Sequence, residues 1–167
     1  DIIRRLNGKA QTVLQYKQIA GLGVWSGDKS ENNKEVLLRG GAKGLSTFMS
    51  YPILTAVAAY GEYETALTMM KEYYGGMLDK GATTFWEDFD LEWTKDTCRI
   101  DELPKEGQKD IHGDFGAYCY IGFRHSLCHG WSCGPVQYLT ENVLGVTVTE
   151  SGCRSISVKP SLGNLAW

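Results

Sequence analysis

Two neighbouring segments whose apolar residues recur at helical spacing most constrain how this chain can fold. Residues 46–60 and 63–78 each carry an apolar residue every three or four positions, and Gly61 interrupts the pattern between them. This spacing predicts two amphipathic helices, and the short connection predicts that they pack antiparallel. The residues expected to face inward are Phe48, Tyr51, Leu54, Val57 and Ala58 in the first helix, and Ala66, Leu67, Met70, Tyr73, Tyr74 and Met77 in the second.

The first forty residues show weaker helical patterns. Apolar spacing predicts a helix over residues 3–19, and the glycines of residues 21–23 are expected to end it. A polar, turn-rich stretch follows, and Asn32 or Asn33 is expected to cap a short helix that runs through Leu38. These segments add to the helical part of the chain.

The pattern changes near the end of the chain. Residues 135–144 read as a helix that stops at Gly145, and the alternating residues 146–149 and 156–158 read as two strands. The long stretch 88–125 has little periodicity and is expected to be a functional loop. We therefore predict a mainly α fold, with a domain boundary at Gly145.

Composition and charge exclude several classes of protein. With 167 residues, 43% hydrophobic and 22% charged, the chain suits one soluble globular domain. A net charge of −3 without a basic cluster argues against nucleic acid, and no apolar run approaches the roughly 20 residues that span a bilayer. The chain begins without Met or a signal peptide, so we expect a piece of a longer polypeptide.

The candidate catalytic residues are most concentrated in residues 81–90, where Glu87, Asp88 and Asp90 lie among three aromatic residues. Such crowding tends to raise the pKa of at least one acid, as in proton-transfer sites. Glu87 is the best candidate for a general base, whereas Asp88 and Asp90 are more typical of loop support or water binding. The alternative is a helix end with solvated acids and a Trp that fills the core.

Histidine and cysteine form a second cluster. The residues are His112, His125 and His129 with Cys119, Cys128 and Cys133. Their spacing lacks the paired pattern of structural zinc sites, so we expect no metal, and a Cys–His nucleophile lacks an identifiable third group. His129 is read as a neutral hydrogen-bonding group in a polar pocket. Trp93 and Trp131 are typical of core or interface residues, with a sugar platform as the alternative.

Two motifs together resemble the bacterial α-L-rhamnosidase family of inverting glycoside hydrolases. They are GATTFWE at residues 81–87 and SLCH at residues 126–129, and residues 40–51 look like the family's approach to the first motif. Two departures stand out: Cys128 replaces the family's usual Asn, and the loop 91–124 is longer than is typical.

The resemblance implies an (α/α)6 barrel followed by a β-sandwich. Residues 1–145 would be the second part of the barrel and 146–167 the start of the sandwich. It implies that Glu87 is the general base and that His129 contacts the sugar, a rhamnosyl glycoside, with no cofactor. The general acid would lie in the part of the barrel missing from this chain, so we expect the chain alone to be inactive on an aryl rhamnoside.

Three further residues are expected to complete the substrate-binding set: Trp86, Trp131 and Asp90. Two other functions stay open. One is a non-catalytic helical module that binds carbohydrate or acts as a scaffold. The other is an (α/α)6-barrel enzyme for another sugar such as a uronic acid, which would need a cation to meet the sugar carboxylate. The nearest cations in sequence are Lys95, Arg99 and Arg124.

Overall fold

The computed structural model describes residues 15–115, 125–163 and 165, and these form a mainly helical protein. The helices are α1 (Lys17–Trp25), α2 (Glu31–Leu38), α3 (Ser50–Ala59), α4 (Tyr63–Asp79) and α5 (Gly134–Tyr138). The strands are β1 (Thr97–Cys98), β2 (Lys109–Asp110), β3 (Val146–Val148) and β4 (Ile156–Val158). Short 3-10 turns span Leu91–Thr94, Gly130–Ser132 and Ser151–Cys153. Within the described residues, no helix is both long and apolar enough to cross a bilayer.

Helices α3 and α4 confirm the two strongest sequence predictions and form the centre of the core. Ile53 and Leu54 of α3 and Leu67 of α4 are all fully buried. The helices are joined by a tight turn at Gly61, whose φ of +81° favours glycine. One detail of the prediction is wrong: α3 begins at Ser50, so Phe48 lies before the helix and is 59% exposed rather than inward-facing.

Helix α1 packs across α3, and Gly21 allows the close contact. The sequence predicted that residues 21–23 end the first helix, but the structure continues it through Trp25. A Cβ added at Gly21 would lie 3.4 Å from Cα of Ile53, so the glycine permits close approach of the two helices. This packing outweighs the low helix propensity of glycine. Residues 3–14 of the predicted helix lie outside the described residues.

Helix α2 is held at both ends by side chains. Its N-cap is Ser30, not Asn32 or Asn33, because Ser30 Oγ accepts the backbone N–H of Asn33 at 3.4 Å. At the C-terminal end the buried Lys17 Nζ donates to three carbonyls, those of Val36 (3.5 Å), Leu37 and Arg39 (2.7 Å). Burial, and then the charge of Arg39, lowers the pKa of Lys17 to about 8.

The end of the chain confirms the predicted helix and strands. Helix α5 continues as a π-helical turn over Leu139–Val143 and stops at Gly145. Strands β3 and β4 pair antiparallel, with Val146 opposite Val158. Gly145 closes this hairpin: its φ is +68°, and a Cβ there would fall 1.8 Å from the carbonyl oxygen of Lys159. The domain boundary at Gly145 stays a prediction.

Between α4 and α5 the chain wraps over one end of the core. The predicted loop contains the Leu91–Thr94 turn and the short parallel pair of β1 and β2, with Thr97 opposite Lys109. Ile111 and Cys98 in this segment are buried. The segment is therefore anchored to the core at these residues, whereas residues 101–107 are exposed.

Candidate functional site

The two motifs singled out in the sequence lie side by side. The backbone N–H of His129 donates to the carbonyl of Phe85 at 2.8 Å, and the N–H of Glu87 donates to the carbonyl of Ser126 at 2.8 Å. These two bonds join residues 85–87 to residues 126–129 in antiparallel fashion. Segments about forty residues apart in sequence thereby place Glu87 next to His129.

The carboxylate of Glu87 is anchored by one oxygen. Its Oε2 accepts the backbone N–H of Ser126 at 2.7 Å and lies 3.9 Å from Nδ1 of His129. The side chain is 19% exposed, and no described residue donates a hydrogen bond to Oε1. One oxygen is thus fixed by the backbone, and the other is available to a water molecule or a ligand.

The backbone of Glu87 is fixed as firmly as its side chain. Its carbonyl oxygen accepts two hydrogen bonds, one from Thr47 Oγ1 at 2.5 Å and one from Trp131 Nε1 at 2.7 Å. Thr47 is buried just before α3, and Trp131 lies in the turn that precedes α5. Three separate segments therefore meet at this residue, which restricts the directions its carboxylate can take.

The open side of the site is aromatic. The His129 side chain is 32% exposed, and its ring centroid lies 4.2 Å from that of Trp131. Trp131 is 46% exposed and meets Phe48 edge-on, with ring centroids 5.3 Å apart. The predicted residues Glu87, His129 and Trp131 thus form one surface. Sequence reasoning missed Phe48 and Thr47, because the apolar spacing placed Phe48 inside a helix.

Trp86, predicted to bind substrate, lies in the core. It has no exposed surface, and its ring packs against Phe89 at 5.9 Å and His125 at 6.2 Å between centroids. Its Nε1 has no hydrogen-bond partner among the described residues. The ring offers no face to a ligand. Its packing in the core instead fixes the backbone next to Glu87.

The two aspartates hold the loop. Asp88 Oδ1 accepts the N–H of Phe89 at 2.9 Å, and its buried Oδ2 has no hydrogen-bond partner among the described residues. Burial, with the nearby charges of Asp90 and Glu87, raises the pKa of Asp88. The expectation of one raised acid is confirmed here. Asp90, predicted to bind substrate, accepts the N–H of Glu92 at 2.8 Å and caps the following turn.

The other histidines form a contacting pair, of which His125 is buried and His112 is half-buried. His112 Nε2 lies 2.8 Å from the carbonyl oxygen of His125, and the two rings meet edge-on at 5.0 Å. Burial, and then the neighbouring His112, lowers the pKa of His125. His125 directly precedes Ser126, so this pair supports the backbone that holds Glu87.

The cysteines are dispersed where they can be described. Cys128 and Cys133 are exposed with free thiols, whereas Cys119 lies outside the described residues. In the part of the chain that the structure describes, no three His, Cys, Asp or Glu side chains are grouped to hold a metal ion. Cys128 contributes to the structure of the site through its backbone, whose N–H donates to Ser126 Oγ at 3.2 Å.

The fold and site define a mainly helical protein with an anchored carboxylate beside an exposed His–Trp surface. The sequence matches no model of a known protein family and none of the curated proteins compared with it. The chemistry of the site is therefore argued from its own geometry.

Proposed function

We propose that Glu87 is the general base of an inverting glycoside hydrolase of the α-L-rhamnosidase type. The observation that carries the proposal is the arrangement of the Glu87 carboxylate. Its Oε2 is fixed by the Ser126 N–H at 2.7 Å, and its Oε1 accepts nothing from the described residues. A base that activates water needs a fixed carboxylate with one free oxygen, since a water must approach it at hydrogen-bond distance.

The surface around Glu87 suits a sugar. An aromatic ring covers the apolar C–H face of a pyranose, and polar groups at its edge bind the hydroxyls. Trp131 supplies an exposed ring, and the imidazole of His129, 4.2 Å away, supplies a polar edge. We assign both residues to the sugar. Trp86 and Asp90 act by holding the segment that carries Glu87.

The resemblance of the two motifs adds the reaction type. In an inverting enzyme the acid and the base lie roughly 6.5–9.5 Å apart, which leaves room for the attacking water. The other acids of this segment, Asp88 and Asp90, already accept backbone N–H groups of the loop. The resemblance implies that the general acid lies in an earlier loop of the barrel, and we assign it to the barrel half expected to precede residue 1. In this proposal, residues 1–145 complete an (α/α)6 barrel and 146–167 begin a β-sandwich.

The catalytic test uses a polypeptide that contains these residues together with that barrel half, called here the complete enzyme. On an aryl α-L-rhamnoside, Glu87→Gln is expected to lower kcat by about 10²–10⁴-fold, as for removal of a general base. His129→Ala is expected to raise KM more than it lowers kcat. The matched control is Glu102→Gln, an exposed carboxylate in the same long segment. Proton NMR should show that the rhamnose first released has the anomeric configuration opposite to that of the substrate.

A non-catalytic carbohydrate-binding module is the second candidate. It is favoured by the exposed rings of His129 and Trp131, with centroids 4.2 Å apart, which suit sugar binding with or without turnover. The two functions give different results. A binding module would bind rhamnosides equally well in the wild type and in Glu87→Gln, with no turnover in any longer form of the protein.

A further inference from the structure

Phe48 is an exposed aromatic residue at a rigid position. Its side chain is 59% exposed, yet the preceding residue, Thr47, is 2% exposed and donates to the Glu87 carbonyl at 2.5 Å. A large apolar side chain left in water forgoes part of the free energy of burial. The adjacent hydrogen bond keeps this exposed ring close to the site.

Trp131 is bound to the same carbonyl oxygen of Glu87 from a different segment of the chain. Its indole N–H donates to the same Glu87 carbonyl at 2.7 Å, and its ring meets Phe48 at 5.3 Å with an interplanar angle of 63°. Two donors from different segments thus share one acceptor. The ring of Trp131 and the ring of Phe48, the residue after Thr47, therefore form an exposed pair in a fixed position relative to the Glu87 carboxylate.

We propose that Phe48 and Trp131 form an aromatic platform that packs against the apolar face of the sugar bound beside Glu87 and His129. The proposal rests on the proposed function and adds Phe48 as a substrate-binding residue. The edge-on arrangement leaves ring surface exposed on both residues, and sugar C–H groups bind such faces. The hydrophilic face of the same sugar would meet the Glu87 carboxylate and the His129 imidazole.

A second edge-on aromatic pair, with one exposed ring, provides a control. Trp25 is 52% exposed and meets Tyr51 edge-on at 5.6 Å. The Tyr51 hydroxyl is hydrogen-bonded to the carboxylate of Glu141. This pair is also edge-on, with an interplanar angle of 82°, but its neighbouring carboxylate is already hydrogen-bonded to the phenol. We expect it to bind no sugar.

The test measures binding of L-rhamnose, which the enzyme cannot hydrolyse, to the complete enzyme by titration calorimetry. Phe48→Ala is expected to weaken binding about three- to tenfold, the loss of one aromatic contact. Phe48→Tyr keeps a ring face and should bind within about twofold of wild type. Phe48→Leu keeps apolar area without a ring and should bind like Phe48→Ala. Trp25→Ala should bind like wild type.

The outcomes separate this inference from the proposed function. Unchanged binding in Phe48→Ala, with weakened binding in His129→Ala, would overturn the platform and leave the sugar site standing. Weakened binding in Phe48→Ala, with full turnover in Glu87→Gln of the complete enzyme, would uphold the platform and overturn the general base. No binding by the wild-type complete enzyme would overturn the platform. Circular dichroism spectra that match wild type confirm that each variant is folded.

Discussion

Glu87 and Ser126 hold each other through two hydrogen bonds. The N–H of Glu87 donates to the Ser126 carbonyl at 2.8 Å, and the N–H of Ser126 donates to Oε2 of Glu87 at 2.7 Å. A backbone donor has no rotamer freedom of its own, so it fixes the carboxylate more tightly than a side chain would. The direction of the proposed base therefore depends on a segment 39 residues further along the chain.

Removal of that single backbone donor should impair the site while the fold survives. Ser126→Pro has no N–H, so Glu87 Oε2 loses a charge-assisted hydrogen bond of about 1.5–3 kcal/mol. We expect kcat of the complete enzyme on an aryl α-L-rhamnoside to fall about 10–100-fold. Ser126→Ala keeps the N–H and loses only the hydroxyl, which bonds Cys128. Equal losses in the two variants would show that the backbone bond does not position the base.

Lys17 should be a major contributor to stability although it carries a charge in the core. Its ammonium donates hydrogen bonds to the carbonyls at the C-terminal end of α2. Lys17→Met fills similar volume but leaves those acceptors unpaired, so the free energy of unfolding should fall by about 2–4 kcal/mol. Urea denaturation measures the change. Lys71→Met, at an exposed position of α4, should lie within about 0.5 kcal/mol of wild type, and a similar loss there would contradict the assignment.

The same lysine should make stability depend on alkaline pH. Its pKa is lowered from 10.5 to about 8 in the folded state, so between these values the unfolded state binds more protons. The free energy of unfolding then rises with pH across this window, by less than about 1.4 kcal/mol per pH unit. The free energy of unfolding of wild type minus that of Lys17→Met isolates the contribution of this group. It should increase from pH 8 to pH 10, and a decrease would mean that the carbonyls hold the ammonium more strongly than burial opposes it.

Gly145 should tolerate no side chain. Alanine there requires φ of +68° and places Cβ 1.8 Å from the carbonyl oxygen of Lys159, which must move and break the start of the hairpin. We expect Gly145→Ala to lower the free energy of unfolding by about 3 kcal/mol or more. Gly27→Ala has a similar φ of +96° but no atom within 4 Å, so it should cost only about 1 kcal/mol. Equal losses would mean that backbone conformation, not the contact, limits both sites.

The sequence predicts the fold well where apolar periodicity is long, as in α3 and α4, and where Gly145 separates a helix from alternating residues. It fails at the end of α1, because the contact of Gly21 with Ile53 is a tertiary effect that local propensity does not contain. It also fails at Phe48. An exposed ring at helical spacing is indistinguishable in sequence from a buried one.

The sequence named the main candidate residues of the site but not their geometry. The two motifs contain Glu87 and His129, and in the structure Oε2 of Glu87 lies 3.9 Å from Nδ1 of His129. Motif similarity could not show that Trp86 is fully buried while Trp131 is exposed, since both are tryptophans beside polar residues. The role of Thr47 had no sequence signal, because a hydroxyl that binds a distant carbonyl depends on the fold alone.

Azide rescue tests the central claim, that Glu87 deprotonates the attacking water. Azide is a nucleophile that needs no base, so it can replace the water when the base is gone. In the complete enzyme, Glu87→Ala should lose about 10²–10⁴-fold in kcat on an aryl α-L-rhamnoside. Added azide should restore turnover and give the β-L-rhamnosyl azide, with the phenol as leaving group. Near-wild-type turnover without azide, or no azide product with it, would contradict the assignment of Glu87 as general base.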